Sequence, residues 1–366
     1  MEQFYMMFLV FSNDQIRISK EDFVQIFCKL QINSFDLTDA QGNEIGVALY
    51  KKSARFDHSC CPNAIVTFIG KEIKVIASED ISDSSKVRIS YLNLLRPTSI
   101  RQKELQKRYF FICDCLRCSN KEEDFRVRVP SCCGKTLRRK SPEDSDLFLS
   151  ETDLPLSKLS LSSSEQLFCD QCRNVYNMAM FEELEESCYA ISSYKDAVGF
   201  YKLCALLSKE GLHNKYYRLI YEHEENLSLF WICWTIVMGY KISAESFTAT
   251  DSNYKELDLI VEAGLRINRC LTTSPSYQKL QGPLHRSISL AFLVILSIPL
   301  VGMQDCILPG RGCEVVLPRM ERFMEAFATV ARSALPVCEK FAPHFPEVAE
   351  QVFILKRLAM DMNINI

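Results

Sequence analysis

Phe56-Asp57-His58-Ser59-Cys60-Cys61-Pro62-Asn63 and, further along, Cys113-Asp114-Cys115-Leu116-Arg117-Cys118 are the two segments on which the reading of this chain turns. Cys60 and the Cys-x-Cys-x2-Cys run supply four thiolates, the number that a closed tetrahedral zinc site takes. Such a site ties two distant segments together. Closing the loop between Cys60 and Cys113 costs roughly 3 to 4 kcal/mol of chain entropy, while structural zinc contributes about 10 to 16 kcal/mol, so the metal dominates.

The chain of 366 residues is 48% hydrophobic and 24% charged, enough to bury the cores of two or three domains and too apolar for a wholly disordered chain. Its 17 cysteines, odd in number and partly clustered at ligand spacing, point to a reducing compartment, cytoplasmic or nuclear, rather than to a disulfide framework. A formal net charge of -3 supplies no field that would draw in nucleic acid or an anionic membrane. The apolar opening from Met1 to Phe11 lacks a basic flank and a cleavage site, so a buried helix is expected there rather than a signal peptide. Ile288 to Met303 is apolar but interrupted, and reads as a buried helix ended by Pro299 rather than as a membrane span.

Residues 1 to 50 read as helical, with a turn at Asp39 to Asn43. Ala64 to Ile69 and Glu72 to Ala77 are two β-branched runs around Gly70-Lys71, which predicts a hairpin, and Val87 to Tyr91 predicts a third strand. Ser99 with Gln102 reads as a capping box opening a helix that leads into the cysteine run. The serine-rich stretch Ser141 to Ser164 reads as a loop or linker. Beyond Glu182, apolar residues recur at helical spacing in Tyr194 to Leu207, Leu227 to Met238, Glu256 to Leu271, Leu284 to Leu296, Met320 to Leu335 and Pro346 to Met360.

An Asp-His-Ser-Cys-x-Pro-Asn segment, a strand ending in tyrosine at Ile89-Ser90-Tyr91-Leu92 and the Cys-x-Cys-x2-Cys run follow one another in order. Together they resemble the SET and MYND domain protein-lysine methyltransferases, the SMYD group, from about Phe23 to Ser119. The resemblance implies an α+β protein: a partial SET-type β core with a post-SET zinc site, then an α-helical, tetratricopeptide-like C-terminal domain. Its expected divisions are 1-50 (helical SET insert region), 51-119 (SET core and zinc cluster), 120-181 (cysteine-containing linker or zinc ribbon) and 182-366 (helical domain).

The same resemblance implies S-adenosylmethionine-dependent methylation of a protein lysine, on a histone tail or another protein. Tyr91 and Tyr109 match the catalytic channel tyrosines, Asp57, His58, Tyr109 and Phe111 match cofactor-binding positions, and Cys60, Cys113, Cys115 and Cys118 match the zinc ligands. A peptide or protein partner is implied for the helical domain. Three departures stand out. The family's asparagine is Asp57, whose carboxylate either weakens cofactor recognition or pairs with the cofactor's ammonium; its Gly-Glu-Glu is Ser84-Ser85-Lys86; and its glycine-rich cofactor loop and MYND finger have no counterpart, so the chain reads as an N-terminally truncated or partial member with weak cofactor binding expected. The competing reading is a catalytically inactive, zinc-stabilised interaction scaffold.

Cys132-Cys133-Gly134 and Cys169-Asp170-Gln171-Cys172 resemble two knuckles of a zinc ribbon, although the adjacent first pair strains tetrahedral geometry, and free buried thiols are the alternative. Cys188, Cys204, Cys233, Cys270, Cys306, Cys313 and Cys338 lie in apolar helical stretches and read as small core residues. The basic runs at Arg101 to Arg108, Arg126-Val127-Arg128 and Arg138-Arg139-Lys140 lack interleaved aromatics, and so read as solvated faces rather than nucleic-acid contacts.

Overall fold

The computed structural model describes residues 2–12, 16–38, 44–129, 131–132, 135–140, 166–210, 219–221, 223, 226–240, 251–274, 277, 289–304, 313–344 and 346–366. Two compact units share the chain, the first formed by Met1–Asn93 with Ser99–Cys115, the second by Leu94–Thr98 with Leu116–Ile366. The linker expected at Ser141 to Ser164 and the turn expected at Asp39 to Asn43 lie outside the described residues.

In the first unit, α1 (Glu2–Ser12) and α2 (Lys20–Asn33) pack through Phe4 on Phe27 and through Tyr5 and Phe8 on Phe23. Ser19 caps α2 by accepting from the Asp22 N–H at 3.0 Å. The apolar opening is thus a helix, but it is not buried as expected: Phe4 is 54% and Phe11 81% exposed. Nor does helix persist to residue 50. It ends at Asn33, and β1 (Ser34–Thr38) pairs antiparallel with β2 (Glu44–Leu49), setting Phe35 opposite Ala48 and Leu37 opposite Gly46. The alternating apolar residues of Phe35-Asp36-Leu37 have the strand period of two, and this local signal prevails over the helical texture before it.

The expected hairpin forms with the predicted limits, β4 (Ala64–Ile69) against β5 (Glu72–Ala77), and Gly70 supplies the positive φ of 56° that its two-residue loop needs. The strand expected over Val87 to Tyr91 is shorter. Only Arg88–Ile89 (β6) is strand, and it runs parallel to β3 (Asp57–His58), with Ser59 N–H donating to Ile89 O at 2.9 Å. Asn63 holds this crossing by accepting from Arg88 N–H (2.8 Å) and donating to Lys86 O (3.1 Å). The strand stops because the next free amide, that of Tyr91, is bonded by the His58 ring at 3.0 Å instead of by a ladder partner.

α3 (Thr98–Tyr109) begins one residue before the expected cap, directly after Pro97, and Gln102 does not close a capping box. Its side chain is committed elsewhere, as the next subsection shows. The second unit continues with α4 (Leu116–Ser119), α5 (Lys121–Arg128) and the short hairpin β7 (Ser131–Cys132) and β8 (Lys135–Thr136). A small sheet then pairs β9 (Arg138–Arg139), β10 (Gln166–Phe168) and β11 (Val175–Asn177) in the order β11-β10-β9.

α6 (Met178–Ala190) is a helix that the apolar spacing did not single out. Of the expected helices, α7 (Tyr194–Glu210), α8 (Leu227–Gly239) and α12 (Pro346–Asp361) fall close to their limits, α9 (Asp251–Thr273) and α11 (Cys313–Phe341) run longer at both ends, and α10 (Leu290–Gln304) runs past its expected end at Leu296. α8 is apolar on every face and touches α6, α7, α9 and α10, so it is the helix around which the core assembles. Gly264 of α9 lies against the Phe292 ring of α10; a Cβ there would sit 2.2 Å from it. The helix around Pro299 does not stop at the proline. It runs on to Gln304, because α10 packs along α11 and tertiary burial outweighs one lost backbone bond. Among the described residues no helix is long and apolar enough to cross a membrane. Cys188, Cys204, Cys233, Cys270 and Cys338 are core residues as expected, each 3% exposed or less, while Cys306 and the Cys313 side chain lie outside the described residues.

One buried ion pair joins α5 to α6. Arg128 grips Glu185 with Nε and Nη2, the closest contact being 2.6 Å, and both side chains are at most 10% exposed. Asn226 completes the junction, donating to Arg128 O at 2.7 Å while its Oδ1 accepts from Leu229 N–H and caps α8. Removing Glu185 takes from the desolvated guanidinium its closest counter-charge and leaves it the more exposed Glu182 at 3.4 Å. Glu185→Ala is expected to lower the unfolding free energy by about 3 to 5 kcal/mol, and Arg128→Met with Glu185→Leu to restore most of it. Urea denaturation of the three proteins checks this, and a double variant no better than the single would show that the pair contributes more than mutual compensation.

Candidate metal centre and tyrosine pair

The crossing of β3 and β6 sets His58, Ser59 and Cys60 in the interior of the first unit, where Cys60 is fully buried. α3 returns the chain to this point. Phe110, in left-handed conformation at φ 63°, ends α3 and turns the chain into the cysteine run. Gln102 on α3 then clamps that run: its Oε1 accepts from Cys113 N–H at 2.8 Å and its Nε2 donates to Cys113 O at 2.5 Å. A glutamine amide satisfies both groups of one residue at once, which fixes the direction of the Cys113 side chain.

The sulfur atoms of Cys60, Cys113, Cys115 and Cys118 all lie within 4.8 Å of one another. Four sulfurs around one zinc at about 2.3 Å stand roughly 3.8 Å apart, so this set closes on the ion with sub-ångström shifts. Thiolates without carboxylates or water-bearing positions make a closed, structural site for a borderline-soft ion. The four residues brought together are the four that the sequence spacing nominates.

Beside the thiols lies an aromatic group. The rings of Tyr91 and Tyr109 are 4.9 Å apart, Tyr91 and His58 5.3 Å, and His58 and Phe111 6.0 Å. The Tyr91 hydroxyl donates to Phe56 O at 2.5 Å, and the Tyr109 hydroxyl donates to Tyr91 O at 3.4 Å. Burial raises both phenols above their ordinary pKa, so both keep their protons at neutral pH. His58 is pushed the other way, down to about 4, chiefly by burial, with Arg101 adding to the shift and Cys115 opposing it. It is a neutral imidazole at neutral pH.

Asp57 lies at the edge of this group, where its negative charge adds to the effect of burial in raising the Tyr91 pKa. Its side chain is 76% exposed and faces Arg88 at 3.8 Å, a loose surface pair of little energetic weight. Of the second cysteine set, Cys133 and the Cys132 side chain lie outside the described residues. Cys169 is buried at the tip of the β10–β11 hairpin and Cys172 is half-buried. The turn there is tight, with Arg173 at φ 62°, Arg173 N–H donating to Cys169 O at 2.9 Å and Cys169 N–H to Asn174 O at 3.0 Å. Sequence reasoning missed Gln102, taken as a cap, and Asn63, whose amide fixes the crossing. A glutamine that no helix end requires, eleven residues before the first ligand of the run, is the signal that was available.

Metal analysis of the purified chain is expected to find at least one equivalent of zinc, and Cys115→Ser to lose it. Gln102→Ala, which removes no ligand, is expected to weaken zinc affinity by about 10- to 100-fold in competition with a chromophoric chelator. Full zinc retention in Cys115→Ser would contradict the site.

No family model matches this chain. It is 40% identical over 101 residues to N-lysine methyltransferase SMYD2-A of Xenopus laevis, covering 28% of this chain and 24% of that protein. It is 28% identical over 219 residues to N-lysine methyltransferase SMYD2-B of Danio rerio, covering 55% and 48%. Against SET domain and MYND-type zinc finger protein 6 of Schizosaccharomyces pombe it is 38% identical over 100 residues, covering 27% and 21%. The chain thus spans less than half the length of each of these curated relatives. Over the stretches that these matches cover, the chain is similar to proteins of the SMYD group.

Proposed function

We propose that this chain carries the lysine channel and the metal-stapled segment of an S-adenosylmethionine-dependent protein-lysine N-methyltransferase. The observation that carries the reading is the Tyr91–Tyr109 pair, rings 4.9 Å apart, with the Tyr91 hydroxyl anchored on Phe56 O beside the cysteine motif. The relatives' names, N-lysine methyltransferase, support the reaction class.

S-adenosylmethionine, when bound, supplies an electrophilic methyl group on a sulfonium. What the chain's residues must do is orient a neutral amine and exclude water. The Tyr91 hydroxyl commits its proton to Phe56 O, which leaves its oxygen lone pairs to accept a hydrogen bond from the incoming amine and so to aim the nitrogen. Neither tyrosine is a base at neutral pH, since both hold their protons; proton loss from the lysine falls to solvent at the mouth of the channel. The two π faces favour the cationic lysine as it enters. His58 and Phe111, 6.0 Å apart, are assigned to the adenosine side, and the exposed Asp57 carboxylate to the amino-acid ammonium of the cofactor.

The acceptor is a lysine of a histone tail or of another protein, in the cytoplasm, the nucleus or both. The helical unit is read as a tetratricopeptide-like stack that receives a peptide or protein partner. Supplied with saturating isotopically labelled S-adenosylmethionine and mixed histone and cytoplasmic proteins, the chain is expected to label lysine. Tyr91→Phe is expected to cut that transfer by about 30- to 1000-fold, with zinc content and melting temperature unchanged. Undiminished labelling by Tyr91→Phe would remove the hydroxyl from the chemistry, and no labelling by the unsubstituted chain would leave a binding scaffold.

A further inference from the structure

The two ring nitrogens of His58 face different partners. Its Nδ1 lies 3.0 Å from the backbone N of Tyr91, and its Nε2 lies 3.1 Å from Cys60 Sγ. The Tyr91 amide can only donate, so Nδ1 must present its lone pair. A neutral imidazole with a bare Nδ1 carries its proton on Nε2. Nε2–H therefore donates to Cys60 Sγ, and Cys60 must accept. A ligating thiolate meets that demand; a thiol, which would offer its own proton, meets it poorly.

We propose that His58 is a positioning residue that transmits metal occupancy at Cys60 to the main chain of Tyr91, so that zinc sets the tyrosine rather than merely stapling the fold. The consequence for methyl transfer rests on the reading of Tyr91 as the channel tyrosine; the hydrogen-bond relay itself does not. With zinc bound, Cys60 stays a thiolate and the imidazole is held in one tautomer and one orientation, as an outer-shell partner of a metal site is. The Tyr91 amide, left without a ladder partner where β6 ends, then has its acceptor fixed in place. Tyr91 is tied on its other sides by its hydroxyl on Phe56 O and by Tyr109 on its carbonyl, so rotation of the histidine ring would release the backbone of a residue whose ring stays anchored. Without zinc the Cys60 sulfur loses the bond that holds it against Nε2–H, so the imidazole is free to turn and the Tyr91 N–H loses its fixed acceptor.

Two measurements on the full chain decide it. In zinc-loaded chain labelled with 15N-histidine, long-range proton–nitrogen correlation is expected to show His58 as the Nε2–H tautomer, assigned by its loss in His58→Asn; the Nδ1–H tautomer would overturn the relay. Amide exchange at Tyr91, referenced to the Val66 amide of the neighbouring hairpin, is expected to quicken about tenfold when a chelator strips the metal. In zinc-loaded His58→Ala it is expected to be fast already, with little added by the chelator. Slow exchange in that variant, or an equal response to chelation with and without the imidazole, would refute the proposal. Should His58→Ala fail to fold, the tautomer of the unsubstituted chain remains decisive. Neither readout involves methyl transfer, so a chain inert toward S-adenosylmethionine can still show the relay, and an active chain with the other tautomer refutes the relay alone.

Discussion

The four sulfur atoms of Cys60, Cys113, Cys115 and Cys118, within 4.8 Å of one another, are the constraint on which the placement of the neighbouring side chains rests. The strands beside them are short, two residues each where β3 meets β6, and such a pairing is not stable by itself. Cys60 comes two residues after β3, and the cysteine run comes after α3, whose Gln102 holds Cys113. A zinc ion bridging them would fix both ends of that arrangement, because its binding free energy, about 10 to 16 kcal/mol, exceeds the loop-closure cost several-fold. The placement of Tyr91 and Tyr109 depends on the same closure, because one follows β6 and the other ends α3.

Two uncharged side chains bond to the cysteines, while the buried Arg101 cation lies close enough to act on His58. Gln102 satisfies both main-chain groups of Cys113, and His58, neutral through burial, faces Cys60 with a donor instead of a cation. The tyrosines are likewise kept protonated by burial. In the second unit the polar interior is of a different kind: Arg128 and Glu185 are charged and desolvated, so their value lies in each compensating the other, while Asn226 couples the end of α5 to the start of α8.

What was legible in the sequence was local or periodic. The hairpin from Ala64 to Ala77 announces itself by β-branched runs around Gly70, and the helices after Glu182 by their apolar spacing. The cysteine run from Cys113 to Cys118 was legible because its ligand spacing is a short-range pattern, whereas Cys60, far off in sequence, is joined to it by the fold. What escaped was set by long-range partners. Gln102 carries the sequence signature of a cap, yet its partner is Cys113; Val87 to Tyr91 has strand propensity throughout, yet His58 takes the Tyr91 amide and ends the strand at Ile89. Pro299 reads as a stop, yet packing of α10 on α11 carries the helix past it. Nothing near Arg128 in the sequence points to Glu185.

X-ray absorption at the zinc edge of the purified chain tests the central claim most directly, since it reads the atoms bound to the metal without reference to activity. The account predicts one shell of four sulfur atoms at about 2.3 Å and no nitrogen or oxygen neighbour. A shell containing a nitrogen at about 2.0 to 2.1 Å, with His58 in place of a thiolate, would contradict it, as would a metal-free chain whose first unit is fully folded.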